Sequence, residues 1–311
     1  MVKRKISNLV VTTSMILGLS LFSNSAFAAE KSPEPKKFDI VKAKHDLANK
    51  YANHFKVNLS KDELDTRTKM VQYKLSKLAS SEITQEELKA ELRKDEIYLL
   101  EVPDSTPKTI TILSSQGSDI TMNAPWITYD SVTKRWDVTG GGYWKNTHWF
   151  NDITNAWVGY VGETKNVGGY DSVGVTYYNT SGTYNTSVLS SYGTWNDGNG
   201  WSSSTSNPSH GNGKYGVAFD YQDKIKLVDI LGLIGPEDAT YLGHGFSAGV
   251  QYDSNFANYN GKARTFYVHT WSNASISSIT LGVSGKTFGA DIQITNSANS
   301  FTIYNGSDAS F

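Results

Sequence analysis

GGGYWKNTHWFNDITNAWVGYVGETKNVGGYDSVGVTYYN, residues 140–179, is the stretch on which the reading of the fold turns. Val173, Val175 and Tyr177 alternate with Ser172, Gly174 and Thr176, the period of a half-buried strand. Gly140–Gly142 and Gly168–Gly169 read as turns, because glycine reaches backbone angles that other residues avoid. Working outward, the same alternation recurs in Tyr215, Val217, Phe219 and Tyr221, in Phe266, Val268 and Thr270, and in Ala290, Ile292 and Ile294. Asp197-Gly198, Asn199-Gly200, Asn260-Gly261 and Asn305-Gly306 supply turn chemistry between such runs. Many short strands with almost no helical pattern predict that residues 105–311 are an all-β antiparallel sandwich, jelly-roll-like in type. Ile225–Ile234, IKLVDILGLI, fits either a buried strand or a short helix.

The chain before that region is of another kind. Residues 29–104 hold 15 Lys/Arg and 15 Asp/Glu with no glycine and no tryptophan, whereas residues 105–311 hold all eight tryptophans and 26 of 27 glycines. Ile40, Leu47, Tyr51 and Phe55 recur at helical spacing. Ser60 with Glu63, and Thr84 with Glu87, are two capping boxes, each flanked by a hydrophobic staple: Leu59 with Leu64, and Ile83 with Leu88. Three short helices are expected, then an extended Ile97–Leu100. Pro103 and Pro107 mark a linker, which puts a domain boundary near residue 104. The helical segment is either a pro-segment or a permanent module or spacer.

Residues 1–28 carry an address. Lys3, Arg4 and Lys5 precede an apolar stretch from Leu9 to Phe22, and Ala26-Phe27-Ala28 supplies a small-x-small cleavage pattern. The protein is therefore expected to be secreted, cut after Ala28, with no integral membrane association. The absence of cysteine excludes disulfides, thiolate metal sites and a cysteine nucleophile. A formal net charge of −1 argues against a nucleic-acid partner.

Several motifs invite chemistry. Gly245-Phe-Ser247-Ala-Gly249 spells a nucleophile elbow, with His269 and Asp253 or Asp291 as nominal partners, but no helix start follows it. His148, His210, His244 and His269 show no metal-binding spacing, so no metal site or cofactor is assigned. A structural calcium held by scattered aspartates remains an open expectation without a motif. Asp197-Gly-Asn199-Gly reads as a hairpin turn rather than an EF-hand, since the closing acid is missing.

Glu163 and Asp171 flank Lys165–Gly169. A hairpin there would set the two carboxyls face to face, as a glycoside hydrolase requires. Residues 105–311 also hold 31 aromatic residues, and those of 140–179 fall on both parities of their strands. Exposed rings beside amides and carboxylates suit sugars, whose C–H faces stack while their hydroxyls bond. Tyr143, Trp144, Trp149 and Trp157 are the candidate stacking rings, with His148, Asn151 and Asp152 as polar contacts. Ser202–Ser209, SSSTSNPS, fits a loop better than a membrane-inserting hairpin. Together these point to a secreted sandwich that binds extracellular polysaccharide or cell-wall glycan without catalysis. A hydrolase using Glu163 and Asp171 is the alternative, and a membrane-active or structural protein the third reading.

Overall fold

Three helices open the described chain where the caps place them: α1 (Ile40–Tyr51), α2 (Lys61–Ala79) and α3 (Gln85–Arg93). Asp39 caps α1 by accepting from the Lys42 N–H at 3.0 Å. Both capping boxes form: the Ser60 and Glu63 side chains each accept the other's backbone N–H, as do those of Thr84 and Glu87. The structure is a computed structural model and describes residues 38–52, 58–102, 111–112, 115–152, 160–181, 186–228, 238–282, 289–305 and 309–311. The expected signal peptide, the Pro103–Pro107 linker and Trp157 lie outside the described residues.

The rest is antiparallel sheet. The first sheet runs β1 (Ile97–Leu99), β3 (Ile120–Asp130), β4 (Arg135–Trp144), β11 (Gly245–Tyr252), β6 (Val188–Asn196) and β7 (Ser202–Thr205). The second runs β10 (Ala239–Tyr241), β9 (Gly216–Leu227), β5 (Thr164–Ser181), β12 (Asn260–Thr270), β15 (Ser300–Tyr304) and β2 (Thr111–Ile112). Two short strands, β8 (His210–Gly211) and β16 (Ala309–Ser310), add to β9 and β12, while β13 (Ser275–Leu281) and β14 (Ala290–Thr295) pair as a separate two-stranded sheet. Neither large sheet closes on itself, so the architecture is a β-sandwich with a small helical segment.

Alternation sets the core. Val173, Val175 and Tyr177 of β5 and Val217, Phe219 and Tyr221 of β9 meet Trp136, Val138, Phe246 and Val250 of the first sheet in one buried cluster. Phe246 stacks on Tyr267 with centroids 4.0 Å apart, and the Tyr252 hydroxyl donates to that of Tyr177 at 2.9 Å, so both contacts bridge the two sheets. Such apolar burial is the main favourable term in folding. The outer face of the first sheet is covered by α2 through Val71, Leu75 and Ala79. The outer face of the second is covered by the β13–β14 pair, where Ile279 packs with Ala218, Phe266, Val268 and Tyr304. Residues on both faces of β12 are consequently buried.

The change of composition near residue 104 is not a break in packing, because β1 pairs with β3 and Phe38–Phe311 form one compact unit. Arg67 of α2 adds a two-nitrogen grip on the buried Asp130 carboxylate, at 3.1 and 2.8 Å.

Several local expectations need correction. Gly140–Gly142 form no turn and lie inside β4; a Cβ on Gly140 would stand 2.1 Å from Thr265 Oγ1 of the facing sheet, so close approach is what glycine permits there. Lys165–Gly169 form no hairpin either. β5 runs unbroken through them, and its register against β9 shifts between Asn166 and Tyr170, with Gly168 at a φ of +62°. Asn260-Gly261 sits within β12 at a similar register shift against β5. Gly245–Gly249 lies in the buried β11 with Ser247 wholly enclosed, so no nucleophile elbow exists. Ser202–Thr205 of the serine-rich stretch is an edge strand rather than a loop. Of Ile225–Ile234, residues 225–227 end β9, and 229–234 lie outside the described residues. Asp197–Gly200 is the expected turn: Asp197 Oδ1 accepts the N–H groups of Asn199 and Trp201 at 2.8 and 2.9 Å.

Candidate functional site

The continuous β5 strand separates the two carboxylates that a hairpin would have joined. Glu163 lies just before it, partly exposed, 3.7 Å from Lys165 Nζ, and accepts the Tyr160 N–H at 3.1 Å. Asp171 is wholly buried. Because of the register shift, β9 covers the same stretch in the six steps from Leu227, bonded to Glu163, to Tyr221, opposite Asp171, a span of about 20 Å against the 5–9.5 Å that a pair of glycosidase carboxyls needs. The pair does not share a cleft.

Asp171 instead joins groups brought by two neighbouring strands. It lies on the same face of β5 as Val173, Asp223 on the same face of β9 as Tyr221, and His269 on the same face of β12 as Tyr267, so all three point between the sheets. His269 Nδ1 is 2.7 Å from Asp171 Oδ2 and 3.8 Å from Asp223 Oδ2. The Thr270 N–H donates to Asp171 Oδ1 at 2.8 Å, and the Tyr267 hydroxyl donates to Asp171 Oδ2. Burial, and then the Asp171 charge, hold the Tyr221 and Tyr267 hydroxyls far above the usual phenol range, so both stay protonated as donors.

Aromatic rings enclose this cluster. Trp144 meets His269 edge-on with centroids 5.1 Å apart, Trp149 stacks on Tyr241 at 4.6 Å, and Trp195 stacks on Tyr221 at 4.9 Å. Trp144 and Trp149, expected as sugar-stacking platforms, are therefore core residues, 3% and 5% exposed. A wall of buried rings orders the polar cluster but leaves those faces no room for a ligand.

An open cleft of about 890 Å³ lies outside that wall, between the end of α2 and the rim of the first sheet. Tyr73 and Lys77 of α2, with Glu82 beyond it, form one side; Tyr143, Trp144 and Lys145 form another; Thr194, Asn196, the Gly198–Gly200 turn, Ser202 and His244 complete it. Tyr73 is 65% exposed, so its ring is open to solvent at the cleft. Asn196 is fixed by donating to Ser80 Oγ at 2.9 Å and by accepting the Gly198 N–H at 2.9 Å. Burial lowers the His244 pKa against the pull of Asp197, which keeps the imidazole neutral at pH 7.

Of the seven residues expected at a binding site, Tyr143 and Trp144 line this cleft. His148 and Asn151 are exposed elsewhere, on the short 3-10 helix His148–Asp152, where His148 Nδ1 pairs with Asp119 at 2.8 Å. The side chain of Asp152 and all of Trp157 fall outside the described residues. Tyr73, Lys77 and Glu82 belong to the helical segment, so reading the two parts as separate left them out. Asp171, Asp223 and His269 escaped because no short spacing joins them; only the strand order does.

Fold and site together define a β-sandwich with a helical cover, a mixed aromatic and polar cleft, and a buried Asp–His cluster. No protein-family model matches the chain, and no curated protein matches it.

Proposed function

We propose that this is a secreted protein that binds extracellular or cell-wall carbohydrate without catalysis, and that the cleft beside Tyr73 and Tyr143 is where it binds. The observation that carries this reading is the make-up of the cleft. An exposed phenol ring, a second tyrosine, two asparagine amides, several hydroxyls, two lysines and one glutamate converge on about 890 Å³. Sugars need that mixture: an aromatic face for their C–H groups, and fixed amides and hydroxyls for their own hydroxyls. The separation of Glu163 from Asp171 removes the carboxylate pair on which the hydrolase reading rested. No helix among the described residues is long and apolar enough to cross a membrane.

Retention of the full chain on insoluble polysaccharides and cell walls tests the proposal. The protein is expected to bind one of them and to release no reducing sugar. Tyr73→Ala should weaken binding about tenfold, the equivalent of roughly 1.4 kcal/mol and typical of one lost ring contact. Release of reducing sugar by the wild type would replace this reading with the hydrolase one, and leakage of dye from liposomes without glycan binding would replace it with the membrane-active one.

A further inference from the structure

We propose that Asp171, Asp223 and His269 bind one divalent transition-metal ion with the size and ligand preference of zinc. The three residues offer one ligand atom each, and those atoms lie within 4.8 Å of one another with all three residues buried. Around a tetrahedral ion with bonds of about 2.0–2.1 Å, neighbouring ligand atoms stand about 3.3 Å apart. The two separations measured from His269 Nδ1, 2.7 and 3.8 Å, bracket that value. Loss of the Nδ1 proton and a shift of about half an ångström at each carboxylate convert the hydrogen-bonded arrangement into a coordinating one.

Charge favours an ion there. Two carboxylates and an imidazole carry a net −1 even with the imidazole protonated, and burying net charge is costly. A divalent cation with two carboxylates and a neutral imidazole sums to zero. The chemistry of the donor set selects the ion. Calcium prefers six to eight oxygen ligands, and magnesium keeps several waters, whereas an imidazole with carboxylates suits zinc and its neighbours.

A second, independent feature points into the same spot. The Tyr241 hydroxyl, on a residue 2% exposed, lies beside Asp223 without completing a hydrogen bond of normal geometry. It is the group at hand for a fourth position or for a water held there. Outer contacts of the kind that orient metal ligands are also present, since Asp171 accepts from the Thr270 N–H and the Tyr267 hydroxyl. Because the residues are enclosed, the ion enters as the sandwich forms, and metal binding adds to folding stability.

The test uses the full chain, unfolded and refolded in either zinc or a chelator. Elemental analysis after exhaustive dialysis should give one zinc per chain, and the zinc-refolded protein should melt above the chelator-refolded one. Asp223→Asn, nearly isosteric, should lower the retained zinc by at least about tenfold, since outer contacts alone change metal affinity 10–100-fold. Should that variant not fold, the wild type refolded in cobalt(II) provides the second readout: visible absorption bands characteristic of a low-symmetry nitrogen and oxygen site. Background metal content with no cobalt bands in the wild type would overturn the proposal, as would full zinc retention by a folded Asp223→Asn.

Discussion

Gly141 and Ala79 meet backbone to backbone: a Cβ on Gly141 would stand 2.7 Å from the Ala79 carbonyl oxygen and 2.5 Å from that of Phe246. This contact lets the end of α2 lie directly on the first sheet and so forms one side of the cleft. Gly141→Ala forces helix and sheet apart. It should cost about 1–3 kcal/mol, as overpacking does, and lower Tm by about 2–4 °C for each kcal/mol. An unchanged Tm by calorimetry would show that α2 does not pack as described.

Arg67 and Asp130 link the same helix to β3 at its other end. Asp130 is 1% exposed and also accepts from the Val132 N–H and the Thr133 hydroxyl, so part of its charge stays compensated without the arginine. Arg67→Ala should therefore cost about 3 kcal/mol, the lower end of the range for breaking a buried pair, read as a fall in the urea midpoint. Arg67→Lys should recover only part, because a lysine cannot supply the two-nitrogen grip.

Asp137 makes stability depend on pH. Burial raises its carboxyl from an ordinary 3.8 to about 7, while the amide of Gln251, donating at 3.2 Å, and the charge of Arg135 pull the other way. The folded acid therefore holds its proton where the unfolded chain has lost it. Between pH 4 and 7 the native state binds more protons, so this group's contribution to stability falls as pH rises through that window, then levels off. Asp137→Asn should gain about 2–4 kcal/mol relative to wild type between pH 4 and pH 8, a figure set by the size of the displacement. Parallel unfolding curves at the two pH values would contradict this.

The capping boxes are independent of one another. Ser60→Ala and Thr84→Ala should each cost about 1 kcal/mol, and the double substitution about the sum, because the two caps share no partner. Urea denaturation of the three variants checks both size and additivity.

How much could be read in the sequence followed how local each signal was. Capping boxes span four residues, so α2 and α3 begin where Ser60 and Thr84 place them. The alternation of Val173, Val175 and Tyr177 located a strand and its buried face correctly. Alternation misleads where both faces are covered. On β12 the run Phe266, Val268 and Thr270 lies on the side packed by the β13–β14 pair, while Tyr267 and His269 face the sandwich interior. Glycine was ambiguous in the same way. Gly140–Gly142 and Gly168 suggest turns, yet Gly140 admits the facing sheet, Gly141 the end of α2, Gly142 its own sheet neighbours Thr121 and Phe246, and Gly168 lies at a register shift. Aromatic abundance was visible, but whether Trp144 and Trp149 faced solvent depended on long-range pairing that no local pattern encodes.

The cleft reading is tested most directly by where a glycan touches the protein. His244 lines the cleft, whereas His148 stands on the separate surface helix with Asp119, so the two imidazoles report on different places. Titrating the full chain with oligosaccharides cut from whichever polysaccharide retains it, and following the histidine ring resonances by NMR, should shift His244 saturably and leave His148 in place. Saturable movement of His148 with His244 unmoved would contradict the account.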